Sequence, residues 1–122
     1  MISKYRYWIP ATLYMALIFW LSSRPSPEEL RIIPLIARLK IVHMIEYGML
    51  YYFVWHALRA TSTYRPVEIL ILAFFIVVLY GLTDEFHQIF VAGRTARLID
   101  VVADGIGGII TAFVLKLFRR TV

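Results

Sequence analysis

Two apolar stretches, Val67–Leu82 and Val101–Phe118, enclose a run of polar and ionisable residues: Asp84-Glu85-Phe86-His87-Gln88, Gly93-Arg94, then Asp100 and Asp104. A charge at the centre of a membrane-spanning helix costs about 2.5–3.5 kcal/mol on insertion scales, so such residues face the protein interior and mark function there. A further apolar stretch, beginning at Ile41, carries His43 and Glu46 in the same way.

Lipid is the solvent that suits these stretches. Of 122 residues, 61% are hydrophobic and 17% are charged, and the mean hydropathy is +0.73. A soluble domain of this length cannot hide that much apolar surface. A formal net charge of +5 would suggest nucleic acid in a soluble chain. Here the basic residues sit in loops and tails between apolar spans, so anionic lipid head groups account for them better, and no nucleic-acid partner is expected. The absence of cysteine removes disulfides and thiolate metal sites.

The expected fold is all-α: one domain over residues 1–122, a polytopic integral membrane protein with four transmembrane helices in an antiparallel bundle. The spans read as approximately 7–22, 41–58, 67–90 and 98–118. A span needs roughly 20 residues, so the third must extend past Leu82 and take Asp84, Glu85 and Gln88 with it. Lys4 and Arg6 ahead of Trp8–Leu21 imitate a signal peptide, but Trp20-Leu21-Ser22-Ser23 lacks a small-x-small cleavage pattern. The stretch is read as a retained first helix. In the first connection, Ser26-Pro27-Glu28-Glu29 resembles a helix start, and Leu30, Ile33 and Ala37 would share a face. A short interfacial helix, broken early by Pro34, and a plain loop are both open.

With the N-terminus inside, seven Lys and Arg residues lie on the inner side (Lys4, Arg6, Arg59, Arg65, Lys116, Arg119, Arg120) and six on the outer side (Arg24, Arg31, Arg38, Lys40, Arg94, Arg97). Discounting Lys40 and Arg94 as site residues favours cytoplasmic N- and C-termini. Whichever way the chain faces, an antiparallel arrangement brings the start of the second helix, the end of the third and the start of the fourth to one side. Five of the eight acids (Glu46, Asp84, Glu85, Asp100, Asp104) then share a layer with His43 and Arg94.

Helical spacing sorts the faces. His43, Tyr47 and Leu50 follow i, i+4, i+7, with Glu46 beside them. Asp84 and Gln88 lie one turn apart, as do Asp100 and Asp104. Arg94, after Gly93, is positioned to fold back and hold a phosphate or carboxylate with its planar fork. Gly105, Gly107 and Gly108 would admit a neighbouring helix. His87 projects differently from Gln88 and reads as interfacial, as does His56, while Tyr51, Tyr52 and Trp55 read as packing or interfacial aromatics. Glu68 lies at the opposite end from the cluster.

These residues resemble the VanZ-like membrane proteins over most of the chain. The likeness rests on Ser22-Ser23, Lys40, His43, Tyr47, Leu50, Asp84-Glu85, Gln88, Phe90, Gly93-Arg94, Asp100, Gly105 and Gly108. Ala92 departs from a common proline, and Asp104 from a common asparagine. The resemblance implies a multi-pass protein of the bacterial cytoplasmic membrane, in a family whose founding member is linked to teicoplanin resistance. It implies no reaction.

Three functions fit this reading. In the first, Arg94 and Lys40 hold an anionic or amphiphilic ligand, lipid-linked or glycopeptide-like, while Gln88, Tyr47, Glu46, Asp100 and Asp104 complete the site with Asp84, Glu85 and His43. In the second, Glu85, Asp84 and His43 are catalytic in hydrolysis or group transfer on a lipid-linked substrate. The third is a small transporter or flippase, which four short helices could form only as an oligomer. A network that merely pins the helices together is the structural alternative, although intramembrane polar contacts average only about 0.6 kcal/mol. No cofactor is expected; a divalent cation is the alternative, for which His43, Glu46, Asp84, Glu85 and Asp100 offer ligands without a standard zinc spacing.

Overall fold

A computed structural model describes residues 3–24, 41–94 and 96–120. Among these, four α-helices form: α1 Ile9–Ser22, α2 Ile41–Thr61, α3 Pro66–Gln88 and α4 Leu98–Arg120, with a 3₁₀ turn at Lys4–Trp8 ahead of α1. The expected start at Ser26–Glu29, its apolar face and Lys40 lie outside the described residues.

Local chemistry sets the ends. Proline occupies the first turn of both α1 and α3, where its missing N–H breaks no helical bond. At α3 the Glu68 carboxylate accepts from the Arg65 backbone N–H at 2.9 Å and from its Nε at 2.8 Å, closing the first turn. That use of Glu68 belongs to capping. The helix stops at Gln88 instead of continuing to Phe90, because Ile89, Phe90 and Val91 each donate to the carbonyl three residues earlier. The chain then turns at Gly93, whose φ of 77° is one that side chains disfavour. α2 and α4 run past their expected ends, to Thr61 and Arg120.

The core is narrow. Ala11, Ile18, Tyr47, Leu50, Tyr51, Val54, Ala73 and Val77 are each no more than 1% exposed. The outer surface is nearly as apolar, with Leu13, Phe75, Leu79, Phe113 and Ile109 more than half exposed. Water would not tolerate so continuous an apolar exterior. α3 and α4 are long and apolar enough to cross a bilayer, with mean hydropathies of 2.3 and 2.0 over their best windows. α1 has 14 residues, short of the roughly 17–25 that a span needs. α2 has the length at 21 residues, but His43, Glu46, His56 and its tyrosines dilute its apolar character.

α2 and α4 approach most closely. An ideal Cβ at Gly107 would collide with the Met44 carbonyl oxygen and lie 2.9 Å from Met44 Cα, while one at Gly48 would lie 3.3 Å from the Gly107 oxygen. Of the three glycines expected to permit close approach, Gly107 makes the backbone contact. Gly48 meets it from α2, a partner that sequence spacing did not identify. A Cβ at Gly105 would make an ordinary contact, 3.7 Å from Val78, and one at Gly108 would lie 3.3 Å from the Tyr51 ring.

Candidate functional site

Hydrogen bonds fix which helix ends meet. The Ser22 hydroxyl at the end of α1 donates to Asp84 Oδ2 near the end of α3 at 2.8 Å. His43 Nδ1 near the start of α2 pairs with Asp104 Oδ1 in α4 at 3.2 Å. At the far end, Trp8 Nε1 donates to Thr61 Oγ1 at 3.3 Å. The polar residues separated along the sequence therefore gather at one end.

Within that end, Asp84, Glu85, Gln88, Asp100, Asp104 and Tyr47 are all at most 5% exposed. His43, with a side chain 25% exposed, is the most accessible member of its pair. Glu46 is half-buried and lies within electrostatic reach of His43, Asp84, Asp104 and Arg94.

The cluster has two centres. Around Asp84, Oδ2 accepts from both Ser22 and Gln88 Nε2, the latter at 3.1 Å, which uses the one-turn spacing within α3. Around Asp104, the carboxylate takes His43 on one oxygen. A Cβ at Gly81 would lie 2.8 Å from the other oxygen and 3.4 Å from the Tyr47 ring, so the bare Gly81 backbone admits both side chains. Tyr47 stands between the centres, within electrostatic reach of Asp84 and Asp104. The Tyr47 hydroxyl and Asp84 Oδ1 are both buried, and neither has a hydrogen-bond partner among the described residues. Buried polar atoms in that condition are rare and call for an explanation.

Arg94 and Glu85, expected as a ligand-binding and a catalytic residue, both meet main-chain groups. Arg94 does fold back, but its Nε donates to the Arg24 carbonyl at 3.0 Å and its Nη2 to the Leu21 carbonyl at 3.3 Å. It thus satisfies carbonyls at the C-terminal end of α1, where a cation also complements the helix dipole. Glu85 accepts from the Arg97 backbone N–H at 2.8 Å, just ahead of α4, a favourable location for a negative charge. His87, expected at the interface, stacks on Phe19 with ring centroids 4.3 Å apart. Ser22 was legible only through the family pattern, and Gly81 had no signal in spacing or charge.

No three His, Asp or Glu side chains among the described residues gather closely enough to hold a metal ion.

Shared bonds at Asp84 make its substitution informative. Asp84→Ala leaves the buried Ser22 hydroxyl and Gln88 amide without their acceptor, at about 1–3 kcal/mol per unsatisfied group. Thermal unfolding in detergent is expected to register that loss. Ser22→Ala is expected to cost little once Asp84 is already alanine, because both changes delete one bond. Additive effects would mean that the two side chains act separately.

The family model for VanZ/LLP1 matches residues 7–119, nearly the whole chain. Searches of curated proteins and of solved structures returned no match. The match and the two helices suited to crossing a bilayer together identify a membrane protein.

Proposed function

The chain belongs to the VanZ/LLP1 family, and from that premise we propose that it is a four-span antiparallel protein of the bacterial envelope that recognises a membrane amphiphile at its polar cluster. The observation that carries the reading is a pair of buried groups, Asp84 Oδ1 and the Tyr47 hydroxyl, that have no partner among the described residues, with the more accessible His43 one helical turn from Tyr47. Carboxylates dominate this layer, and Arg94 directs two of its N–H groups to α1 carbonyls. Those features favour an uncharged or cationic head group that donates hydrogen bonds over a purely anionic one. The termini are cytoplasmic and the cluster lies toward the outer leaflet. There, altered lipid or drug partitioning is the proposed route to lower teicoplanin susceptibility.

The test compares two photoreactive lipids with the same acyl chain, a phosphatidylethanolamine and a phosphatidylcholine, in phosphatidylcholine nanodiscs carrying the full chain. The ethanolamine head has N–H donors and the choline head has none. Preferential labelling by the ethanolamine lipid of about tenfold is expected, equivalent to ~1.4 kcal/mol. Asp84→Asn and His43→Gln are expected to abolish the preference. Equal labelling by the two lipids would defeat the proposal. Ala92→Cys, introduced into a chain without cysteine, is expected to react with an impermeant maleimide on intact cells. Reaction only after permeabilisation would reverse the orientation.

The His43–Asp104 pair favours a second reading as an enzyme. A histidine oriented by a buried carboxylate is the arrangement of a general base, and its partial exposure would let it reach a lipid-linked substrate.

A further inference from the structure

Three side chains in the polar layer keep hydrogen-bonding capacity that the described residues do not use. Asp84 Oδ2 takes the Ser22 hydroxyl and the Gln88 amide, which leaves Oδ1 buried without a partner among those residues. The Tyr47 hydroxyl is in the same condition, in a residue only 1% exposed. Glu46, its neighbour in α2, is half-buried and makes no hydrogen bond or ion pair with the described residues.

These groups lie near one another. Glu46 and Tyr47 are each within electrostatic reach of Asp84 and of one another. A Cβ at Gly81 would stand 3.4 Å from the Tyr47 ring, and Asp84 follows three positions later on the same face of α3. The Tyr80 hydroxyl also comes within reach of Asp84 and Glu46, but it is committed to the Met15 carbonyl. The three open groups have complementary needs: the phenol has a proton to donate, whereas the carboxylates accept. A direct bond from Tyr47 to Asp84 Oδ1 is ruled out, since neither atom has a partner. A water molecule suits the set, because it accepts one bond and donates two, and buried waters make about three bonds each. A bare ammonium or metal cation would leave the phenol proton without an acceptor.

We propose that one water molecule is bound within the polar layer, accepting from the Tyr47 hydroxyl and donating to Asp84 Oδ1 and to the Glu46 carboxylate. It ties α2 to the centre where Asp84 already joins α1 and α3. It also defines what a head group must replace, a consequence that rests on the proposed recognition of an amphiphile. An ethanolamine head brings N–H donors for the carboxylates and a phosphate oxygen for the phenol, so it displaces the water. A choline head has no donor to offer and leaves the water in place.

The experiment is hydroxyl-radical footprinting of the full chain in phosphatidylcholine nanodiscs. A synchrotron pulse forms the radicals from the water present, shortly after mixing into heavy-oxygen water, and mass spectrometry maps the adducts. Tyr51 is the control, being 0% exposed with its hydroxyl already donating to the Leu70 carbonyl at 2.8 Å. Tyr47 is expected to be oxidised at a dose that leaves Tyr51 intact. Its adducts are expected to carry ordinary oxygen when those of the exposed Tyr5 already carry the heavy isotope. Glu46→Leu, which removes one acceptor, is expected to lower the Tyr47 yield, and Glu46→Gln, whose amide oxygen still accepts, to retain it. A Tyr47 as inert as Tyr51 would overturn the bound water. So would heavy-oxygen adducts on Tyr47 as early as on Tyr5, since bulk water would then enter freely. Adding phosphatidylethanolamine to the nanodiscs is expected to suppress the Tyr47 adducts. If they persisted, the water site would stand and its displacement by the head group would fall. If the two photoreactive lipids labelled equally while Tyr47 was oxidised, recognition would fall and the water would stand.

Discussion

Gly107→Ala is expected to loosen the α2–α4 pair and lower the thermal midpoint sharply, whereas Gly105→Ala, two residues away, leaves it unchanged or raises it. The two glycines share a helix and differ in what a methyl group would meet. At Gly107 the new carbon collides with the Met44 carbonyl and comes within 2.9 Å of Met44 Cα, both backbone atoms that cannot rotate aside. Overpacking of this kind costs about 1–3 kcal/mol and occasionally more. At Gly105 the nearest atoms are Val78 Cγ2 at 3.7 Å and Phe74 Cε2 at 3.8 Å, ordinary contacts. There the better helix propensity of alanine, worth up to about 1 kcal/mol over glycine, goes unopposed. Gly48→Ala falls between them, because its closest neighbour is the movable Thr111 hydroxyl at 2.8 Å. Thermal unfolding of the three variants in one detergent measures the order. Equal midpoints for Gly105→Ala and Gly107→Ala would mean that the helices stand farther apart.

Asp104 carries the second large effect. Asp104→Ala is expected to abolish head-group preference in lipid labelling and to destabilise the fold by about 1–3 kcal/mol, since the His43 Nδ1 loses its buried partner. Asp104→Asn is expected to keep the fold, because an amide oxygen of the same shape accepts from the imidazole N–H. The two functional readings then diverge. If the site only binds, asparagine preserves labelling. If His43 is a general base, asparagine keeps the fold but slows turnover, because the carboxylate would stabilise the imidazolium that forms. Collapse of the fold in Asp104→Asn would contradict both accounts.

The polar layer was legible in the sequence because its members sit inside apolar helices, where charge is conspicuous. The one-turn spacing of Asp84 and Gln88 became a bond at 3.1 Å. The same-side argument for His43 and Asp104, 61 residues apart, became a pair at 3.2 Å. What escaped the sequence has a common cause. The bonds from Arg94 go to main-chain carbonyls, which every residue has and no residue type signals. Gly48 and Gly81 act through the side chain they lack, so their effect depends on what stands opposite. The four expected spans met a similar limit: α3 and α4 announce themselves by hydropathy, while α1 is short and α2 carries part of the site.

The bonds that hold α1 also impose an order of assembly. Trp8, Met15, Leu21, Ser22 and Arg24 are bonded to Thr61, Tyr80, Asp84 and Arg94, partners that lie between 53 and 73 positions later in the chain. At ~5–20 residues per second of synthesis, those partners emerge roughly 3–15 s after the residues they bind. For that interval the anchors of α1 are unmade: Thr61 at the end of α2 arrives first, and the fastening is complete only when the far end of α3 and the turn beyond it arrive. A substitution at Asp84 or Arg94 therefore acts on a segment synthesised seconds earlier, and its first symptom in the cell would be a chain caught between synthesis and closure.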